Sequence, residues 1–143
     1  MTGSDKLTLY YNPMSRGRIV HWMLEEIGVP YELKTLDWAK KEHKTAEYLK
    51  LNPMGKIPTL VHRGVVVTES AAILAYLADA FPQAGLAPAV DSPERGTYYR
   101  WLFFAASCVE YALIDKTYPR VKAPDAGHIG YGTYEYTVKK KKK

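Results

Sequence analysis

Apolar positions fall first into a short β-prone run and then into helical spacing. Leu7-Thr8-Leu9-Tyr10-Tyr11, bounded by Asn12-Pro13, predicts a first strand. After Ser15 come Ile19, Val20, Met23, Leu24 and Ile27 at helical spacing, and Gly28 with Pro30 behind it stops that helix. Residues 31–36 predict a second strand, residues 40–44 a polar loop, and Ala46–Leu51 a short helix stopped before Asn52-Pro53. Two further strands, residues 57–61 and Val65–Thr68, flank a tight turn at Arg63-Gly64. Ser70–Ala80 is then a helix with Ala72, Ile73, Tyr76 and Leu77 on one face. Alternating strands and helices imply parallel pairing, and the late hairpin adds an antiparallel pair, so the pattern predicts a small mixed α/β sheet with helices packed on it.

The pattern then changes. Residues 82–92 are proline-rich and weakly periodic, which predicts a linker. A long helix begins at Glu94, carries Tyr98, Trp101, Leu102, Ala105, Val109 and Leu113, reaches about Thr117, and is ended by Pro119. It is apolar on more than one face and needs partners on several sides, yet little chain remains to supply them. A short helix after Gly130 is the one further local candidate. The expected organisation is an N-terminal domain over 1–81, a linker over 82–92, an incomplete all-α domain over 93–138, and a disordered tail over 139–143.

An apolar share of 47% with 24% charged residues is that of a globular chain. No secretory signal is visible, and the longest apolar run, residues 101–109, is too short to cross a bilayer. The net charge of +5 suggests nucleic acid, but Lys139 to Lys143 supply five of the 20 basic residues; without them 15 basic face 15 acidic residues. The charge belongs to the tail, which reads as an artefact rather than as an RNA- or membrane-binding arm. No nucleic-acid or membrane partner is expected. The lone cysteine, Cys108, excludes an intramolecular disulfide, fits a reducing compartment, and among Phe103, Phe104, Ala105 and Val109 reads as a buried small hydrophobe. No cluster has metal-ligand spacing and there is no Gly-rich phosphate loop, so no metal is expected.

Three segments carry candidate chemistry. In Lys56-Ile57-Pro58-Thr59-Leu60 a proline opens a strand, leaving the backbone before it free to pair with something extended. In Thr68-Glu69-Ser70-Ala71-Ala72-Ile73 an acidic and a hydroxyl residue open a helix. Unpaired amides and the positive end of the helix dipole gather there, which suits a charged amino-acid-like group, or ordinary capping. Ser15 stands after the first strand at the start of the first helix, where it can donate to an anion or act as a plain N-cap. Tyr10 and Tyr11 point to opposite faces of the strand, so at most one reaches such a site. Arg16 either adds positive potential or covers the helix start.

The segments Tyr10-Tyr11-Asn12-Pro13-Met14-Ser15-Arg16-Gly17-Arg18, Asn52-Pro53-Met54-Gly55-Lys56-Ile57-Pro58 and Thr68-Glu69-Ser70-Ala71-Ala72-Ile73-Leu74-Ala75-Tyr76-Leu77 resemble, in order and spacing, the cytosolic glutathione transferases, particularly bacterial members that use a serine. Tyr99-Arg100-Trp101-Leu102 in the later helix also looks like the family. The resemblance implies a thioredoxin-like N-terminal domain followed by an all-α domain that is several helices short in this chain. It implies a cytoplasmic detoxification enzyme, a homodimer, that conjugates glutathione to a small hydrophobic electrophile and uses no metal. By the same resemblance Ser15 holds the glutathione sulfur as a thiolate, with Tyr11 as the competing donor. Ile57, before a cis-Pro58, pairs with the cysteinyl backbone. Glu69 and Ser70 bind the γ-glutamyl carboxylate and amine, and His43 or Lys44 takes the glycine carboxylate unless residues 40–44 are only a solvated loop. A non-catalytic binding or interaction module with the same fold is the competing reading. A disulfide oxidoreductase is disfavoured, because Ser15-Arg16-Gly17 supplies no cysteine at the helix start.

Overall fold

The computed structural model describes residues 6–117, and its contacts divide into two compact units, Met1–Ser92 and Pro93–Lys143. In the first unit, strand β1 (Leu7–Tyr11) alternates faces as a period of two requires. Leu7 and Leu9 are buried on one side, while on the other the Tyr10 ring meets Tyr48, centroids 5.6 Å apart. Helix α1 (Gly17–Ile27) follows and ends at Gly28, whose φ of 71° only glycine adopts freely and whose N–H reaches Leu24 O at 3.0 Å. β1 pairs in parallel with β2 (Glu32–Thr35) across this helix.

The chain then crosses over through helix α2 (Ala46–Leu51). Thr45, extended at φ −67° and ψ 150°, caps it by accepting the Tyr48 N–H at 3.3 Å. β3 (Thr59–His62) runs antiparallel to β1, and β4 (Val65–Thr68) antiparallel to β3, giving a mixed four-stranded sheet in the order β2-β1-β3-β4. Arg63 and Gly64 both have positive φ, 52° and 77°, the double left-handed turn whose twist matches a hairpin. Helix α3 (Ser70–Ala80) packs beside α1. Leu7, Leu9, Val20, Leu24, Leu60, Ile73 and Leu77 form one core between the sheet and these two helices. Each such side chain stabilises the fold by about 1.5–3 kcal/mol on burial. His62, 2% exposed, fastens β3 to α3 through the Tyr76 hydroxyl at 2.9 Å and stacks on Phe81. This is the thioredoxin-like architecture expected of the first domain.

Four expectations are corrected. β3 starts at Thr59, two residues later than the predicted 57–61, because Pro58 has no N–H to give a ladder and side chains claim the Lys56 carbonyl. Residues 40–44 are not a plain loop: Glu42–Lys44 forms a 3-10 turn after Lys41 at φ 53°. Carboxylates organise it, Asp37 accepting the Ala39 N–H at 2.8 Å and Glu42 the Asp37 N–H at 2.7 Å. On α3 the buried residues are Ile73, Leu77 and Ala78, whereas Ala72 is exposed. Helix α1 begins at Gly17 rather than Ser15, with Arg16 already helical at φ −64°.

In the second unit, α4 (Glu94–Phe104) and α5 (Glu110–Thr117) are joined through a π-helical turn at Ala105–Val109. The sequence predicted one uninterrupted helix; the extra residue of a π turn leaves no mark in apolar spacing. Cys108 lies in this turn and is half-buried rather than buried. Arg95 is buried, its guanidinium 5.0 and 4.8 Å from the Tyr98 and Tyr99 ring centres, and it donates to Tyr99 Oη at 3.0 Å. The helix expected after Gly130, the far end of the expected all-α domain, and the lysine tail lie outside the described residues. Among the described residues no helix is long and apolar enough to cross a membrane, and no three His, Cys, Asp or Glu side chains are grouped to hold a metal ion.

Candidate functional site

Sheet register gathers the candidate residues at one end of the sheet. Tyr10 of β1 lies opposite Thr59, and Thr59 opposite Thr68. The exit of β1, the Ile57-Pro58 segment before β3, and the Glu69-Ser70 start of α3 therefore stand side by side, each about 4.8 Å from the next.

Asn12 builds the turn that leaves β1. Its Nδ2 donates to Leu36 O at 2.8 Å, its Oδ1 accepts the Met14 N–H at 2.8 Å, and its carbonyl accepts the Ser15 N–H at 3.0 Å. The Ser15 hydroxyl donates to the same carbonyl at 2.7 Å and accepts the Gly17 N–H at 3.0 Å. Ser15 thus satisfies one of the amides at the start of α1 and sits where the helix's positive end is strongest.

A second turn, led by Asn52, precedes Pro58. Asn52 Oδ1 accepts the Met54 N–H at 3.1 Å, and its Nδ2 donates to Lys56 O at 2.9 Å and to Thr59 Oγ1 at 3.1 Å. Tyr48 Oη is 2.5 Å from Lys56 O and 2.8 Å from Thr59 Oγ1. One proton assignment satisfies every group. The Tyr48 phenol gives its hydrogen to the Lys56 carbonyl, which has none, so Thr59 donates to Tyr48 and accepts from Asn52. Burial pushes the Tyr48 phenol up from its ordinary value, which keeps that hydrogen in place. A trans peptide is planar, so with the Lys56 C=O held in this network the Ile57 N–H points the opposite way, out of it. The Ile57-Pro58 bond is cis. Among the described residues no backbone bond claims the Ile57 N–H or C=O.

Gly55, at φ 58°, lets this loop pass residues 43 and 44: a Cβ there would stand 2.6 Å from Lys44 Nζ and 2.9 Å from the His43 carbonyl. Lys44 donates to Met54 O at 3.2 Å, and His43 Nδ1 is buried without a hydrogen-bond partner among the described residues. Both candidate basic residues therefore flank the loop that leads to Ile57.

The closest convergence is around Gly17. A Cβ there would lie 2.9 Å from Ser15 Oγ, 3.1 Å from Tyr11 Cδ2 and 3.6 Å from Ile57 Cγ2. Ser15, Tyr11 and Ile57 therefore meet at one spot that only a glycine leaves open. The Tyr11 ring packs edge-on to His21 at 5.0 Å. His21 in turn faces Tyr31 at 5.9 Å, and Tyr31 donates a very short hydrogen bond to Glu25. Burial first, then that bond and the charge on Glu25, push the Tyr31 phenol up to about 12, and the neighbouring Tyr11 adds to the shift.

Glu69, exposed, precedes α3 at φ 67° and ψ 120°, and its side chain makes no capping bond. Ser70, half-buried, is the first helical residue. A non-glycine residue in that region costs about 1–3 kcal/mol, and such strain gathers where a ligand is clamped. The sequence reading gave no role in the site to Asn12, Gly17, Tyr48, Asn52 and Thr59. One signal was available: each asparagine precedes Pro-Met, a pattern for side-chain-built turns.

The N-terminal-domain model of glutathione S-transferase matches residues 5–79. Human glutathione S-transferase theta-2 is 34% identical over 104 residues, covering 72% of this chain and 43% of that protein. The glutathione transferase URE2P6 of Phanerochaete chrysosporium, solved in complex with oxidized glutathione, superimposes with a TM-score of 0.71 at 33% identity, covering 99% of this chain and 66% of that one. BphK, a bacterial transferase solved as a ternary complex, gives 0.69 at 33% identity, covering 94% and 66%. The chain spans less than half of the human relative and about two thirds of each of these structures.

Proposed function

The chain belongs to the glutathione S-transferase family through residues 5–79, and from that membership we propose that it is a serine-type transferase, holding the glutathione sulfur as a thiolate beside Ser15 for attack on a small hydrophobic electrophile. The observation that carries this is the meeting of Ser15, Tyr11 and Ile57 around Gly17, next to an Ile57 backbone that no backbone partner among the described residues occupies. Size agrees. From β1 to β4 is two strand spacings, about 10 Å, and an extended tripeptide is about 10–11 Å long. The ligand crosses β3. Its cysteinyl part pairs with Ile57 before cis-Pro58, its α-carboxylate and amine lie at Ser70 and Glu69, and its glycine carboxylate lies toward His43 and Lys44.

A free thiol of pKa about 8.5 is only a few per cent ionised at pH 7, and lowering it two units requires about 2.7 kcal/mol. A hydrogen bond to the charged sulfur contributes about 1.5–3 kcal/mol and a helix start about 0.3–1 kcal/mol, which together suffice. Ser15 exchanges its bond to the Asn12 carbonyl for one to the thiolate. The Gly17 N–H that it accepts makes its hydroxyl a better donor. The sulfur then gives its electron pair to the electrophilic carbon, and the displaced group leaves with the pair from its bond. Reduced glutathione belongs to reducing compartments, so the reading carries a cytoplasmic detoxification role with it. A homodimer is expected, as for most soluble oligomers.

A second reading, a binding module without turnover, rests on the same unclaimed Ile57 backbone and Glu69-Ser70 helix start, which can hold a ligand without any chemistry following. Retention on immobilised glutathione together with conjugation of chlorodinitrobenzene supports the enzyme. Retention without conjugation supports the module, and failure of retention removes both. Glu69 offers a test of opposite signs. Glu69→Gly is expected to relieve about 1–3 kcal/mol of strain against about 0.5–1 kcal/mol of added chain entropy. Thermal denaturation should show stability held or raised, while calorimetry shows glutathione binding about fivefold weaker, as for an exposed ionic contact.

A further inference from the structure

We propose that Asn12 and Asn52 are matched positioning residues, Asn12 setting how well Ser15 stabilises the thiolate and Asn52 setting how firmly Ile57 grips the ligand's backbone. The inference rests on the glutathione reading above and assigns to two asparagines what that reading leaves to Ser15 and Ile57.

The two residues head the same local structure. Each is buried, 9% and 4% exposed, and each is followed by a proline and then a methionine that is itself exposed, Met14 at 79% and Met54 at 65%. The turns are therefore held by the asparagines, not by packing of the methionines. In both, Oδ1 accepts the methionine N–H, the backbone carbonyl accepts the N–H three residues on (Ser15 at 3.0 Å, Gly55 at 2.8 Å), and Nδ2 reaches a carbonyl outside the turn. That carbonyl is Leu36 O for Asn12 and Lys56 O for Asn52.

The consequences differ because the neighbours differ. With its side chain tied on both sides, the Asn12 peptide aims its carbonyl at the Ser15 hydroxyl and fixes that oxygen over the start of α1. Asn52 instead holds the Lys56 carbonyl, and peptide planarity turns the Ile57 N–H outward. The first bears on the sulfur's charge, the second on the backbone contact.

Two readouts on the intact chain separate these roles without an electrophile. One is calorimetric affinity for glutathione and for S-methylglutathione, which has no thiol to ionise. The other is the ultraviolet thiolate absorbance of bound glutathione against pH. Asn52→Ala should weaken both ligands by about fivefold or more, the loss of one hydrogen bond's worth, and leave the thiol's midpoint where it was. Asn12→Ala should leave S-methylglutathione within about twofold and move the thiol's midpoint up by about half a unit or more. If an alanine variant does not fold, Thr59→Val breaks the same proton chain beside Lys56, and Asn12→Ser keeps a weaker turn. Unchanged affinities and midpoints with only a lowered Tm would assign the asparagines to stability alone and overturn the proposal. So would variants in which the S-methylglutathione affinity and the thiol midpoint move together. If the unaltered chain fails to bind glutathione, the functional reading falls and takes this inference with it; if it binds and the split is absent, this inference alone falls.

Discussion

Ser15→Ala is expected to lower kcat/KM for glutathione conjugation at pH 7 by about ten- to thirtyfold, and to lose most of that deficit above pH 9. Removing a hydrogen bond to a charged sulfur forfeits about 1.5–3 kcal/mol, or roughly one to two units of thiol pKa. A thiol ionised for the most part at pH 7 then returns to a small ionised fraction. The sign follows from the ligand: the group whose pKa was lowered is the thiol, so its loss appears as acid pH is approached and vanishes once bulk pH ionises the sulfur unaided. Tyr11→Phe is expected to stay within about twofold, because the Tyr11 ring packs against His21 and on the core, and phenylalanine keeps that ring. The pH–rate profile of the two variants decides between them. A full rate for Ser15→Ala with a collapsed rate for Tyr11→Phe reverses the assignment. For a chain that binds glutathione without turning it over, the thiolate absorbance of the bound ligand gives the same comparison.

What could be read from the sequence was local chemistry. Gly28 after an amphipathic run, Arg63-Gly64 between two β-branched segments, and Asn52-Pro53 after a short helix each mark an element's end with residues whose backbone preferences are strong. Those marks gave the four strands, the three helices around the sheet, and through them the mixed sheet. They failed where a side chain, rather than the backbone preference at the boundary itself, decides. Nothing near Pro58 tells that Tyr48 and Asn52 will occupy the Lys56 carbonyl and delay β3 to Thr59. Nothing near Asp37 and Glu42 tells that their carboxylates will fold a polar stretch into a 3-10 turn.

The candidate site divides the same way. Ser15, Ile57, Glu69 and Ser70 were identifiable because each sits at an element's end, where unpaired backbone groups collect. Their supports were not, because Asn12, Asn52, Thr59 and Tyr48 act through side-chain hydrogen bonds that no periodicity marks, and locally resemble ordinary turn, strand and helix residues. The left-handed Glu69 was also hidden, since an acidic residue before a helix reads as a simple cap, yet its carboxylate makes no capping bond. The strained backbone and the missing cap have one explanation in the proposed function: the carboxylate is held away from its own helix for a ligand.

Gly17→Ala carries the second large expected effect, and it separates geometry from stability. The substitution adds one methyl group at a buried position, where a helix-propensity gain of up to about 1 kcal/mol is set against an overpacking cost of about 1–3 kcal/mol, so stability is expected to fall modestly. That methyl, however, falls 2.9 Å from Ser15 Oγ and 3.1 Å from Tyr11 Cδ2, closer than carbon atoms sit to such neighbours. The Tyr11 ring is packed on the core and gives little. The serine hydroxyl, at the end of a short rotatable side chain, is what yields, and it leaves the Gly17 N–H and the helix start when it does. The methyl also fills the space between Ser15 and Ile57 in which the sulfur is proposed to lie. Glutathione ionisation should then fall about as far as in Ser15→Ala, tenfold or more in thiolate at pH 7, although every side chain of the proposed site is present and the loss of stability is modest. Thermal denaturation and the thiolate absorbance of bound glutathione measure the two halves. A folded variant that ionises the bound thiol as well as the parent would place the sulfur elsewhere and remove Ser15 from its role.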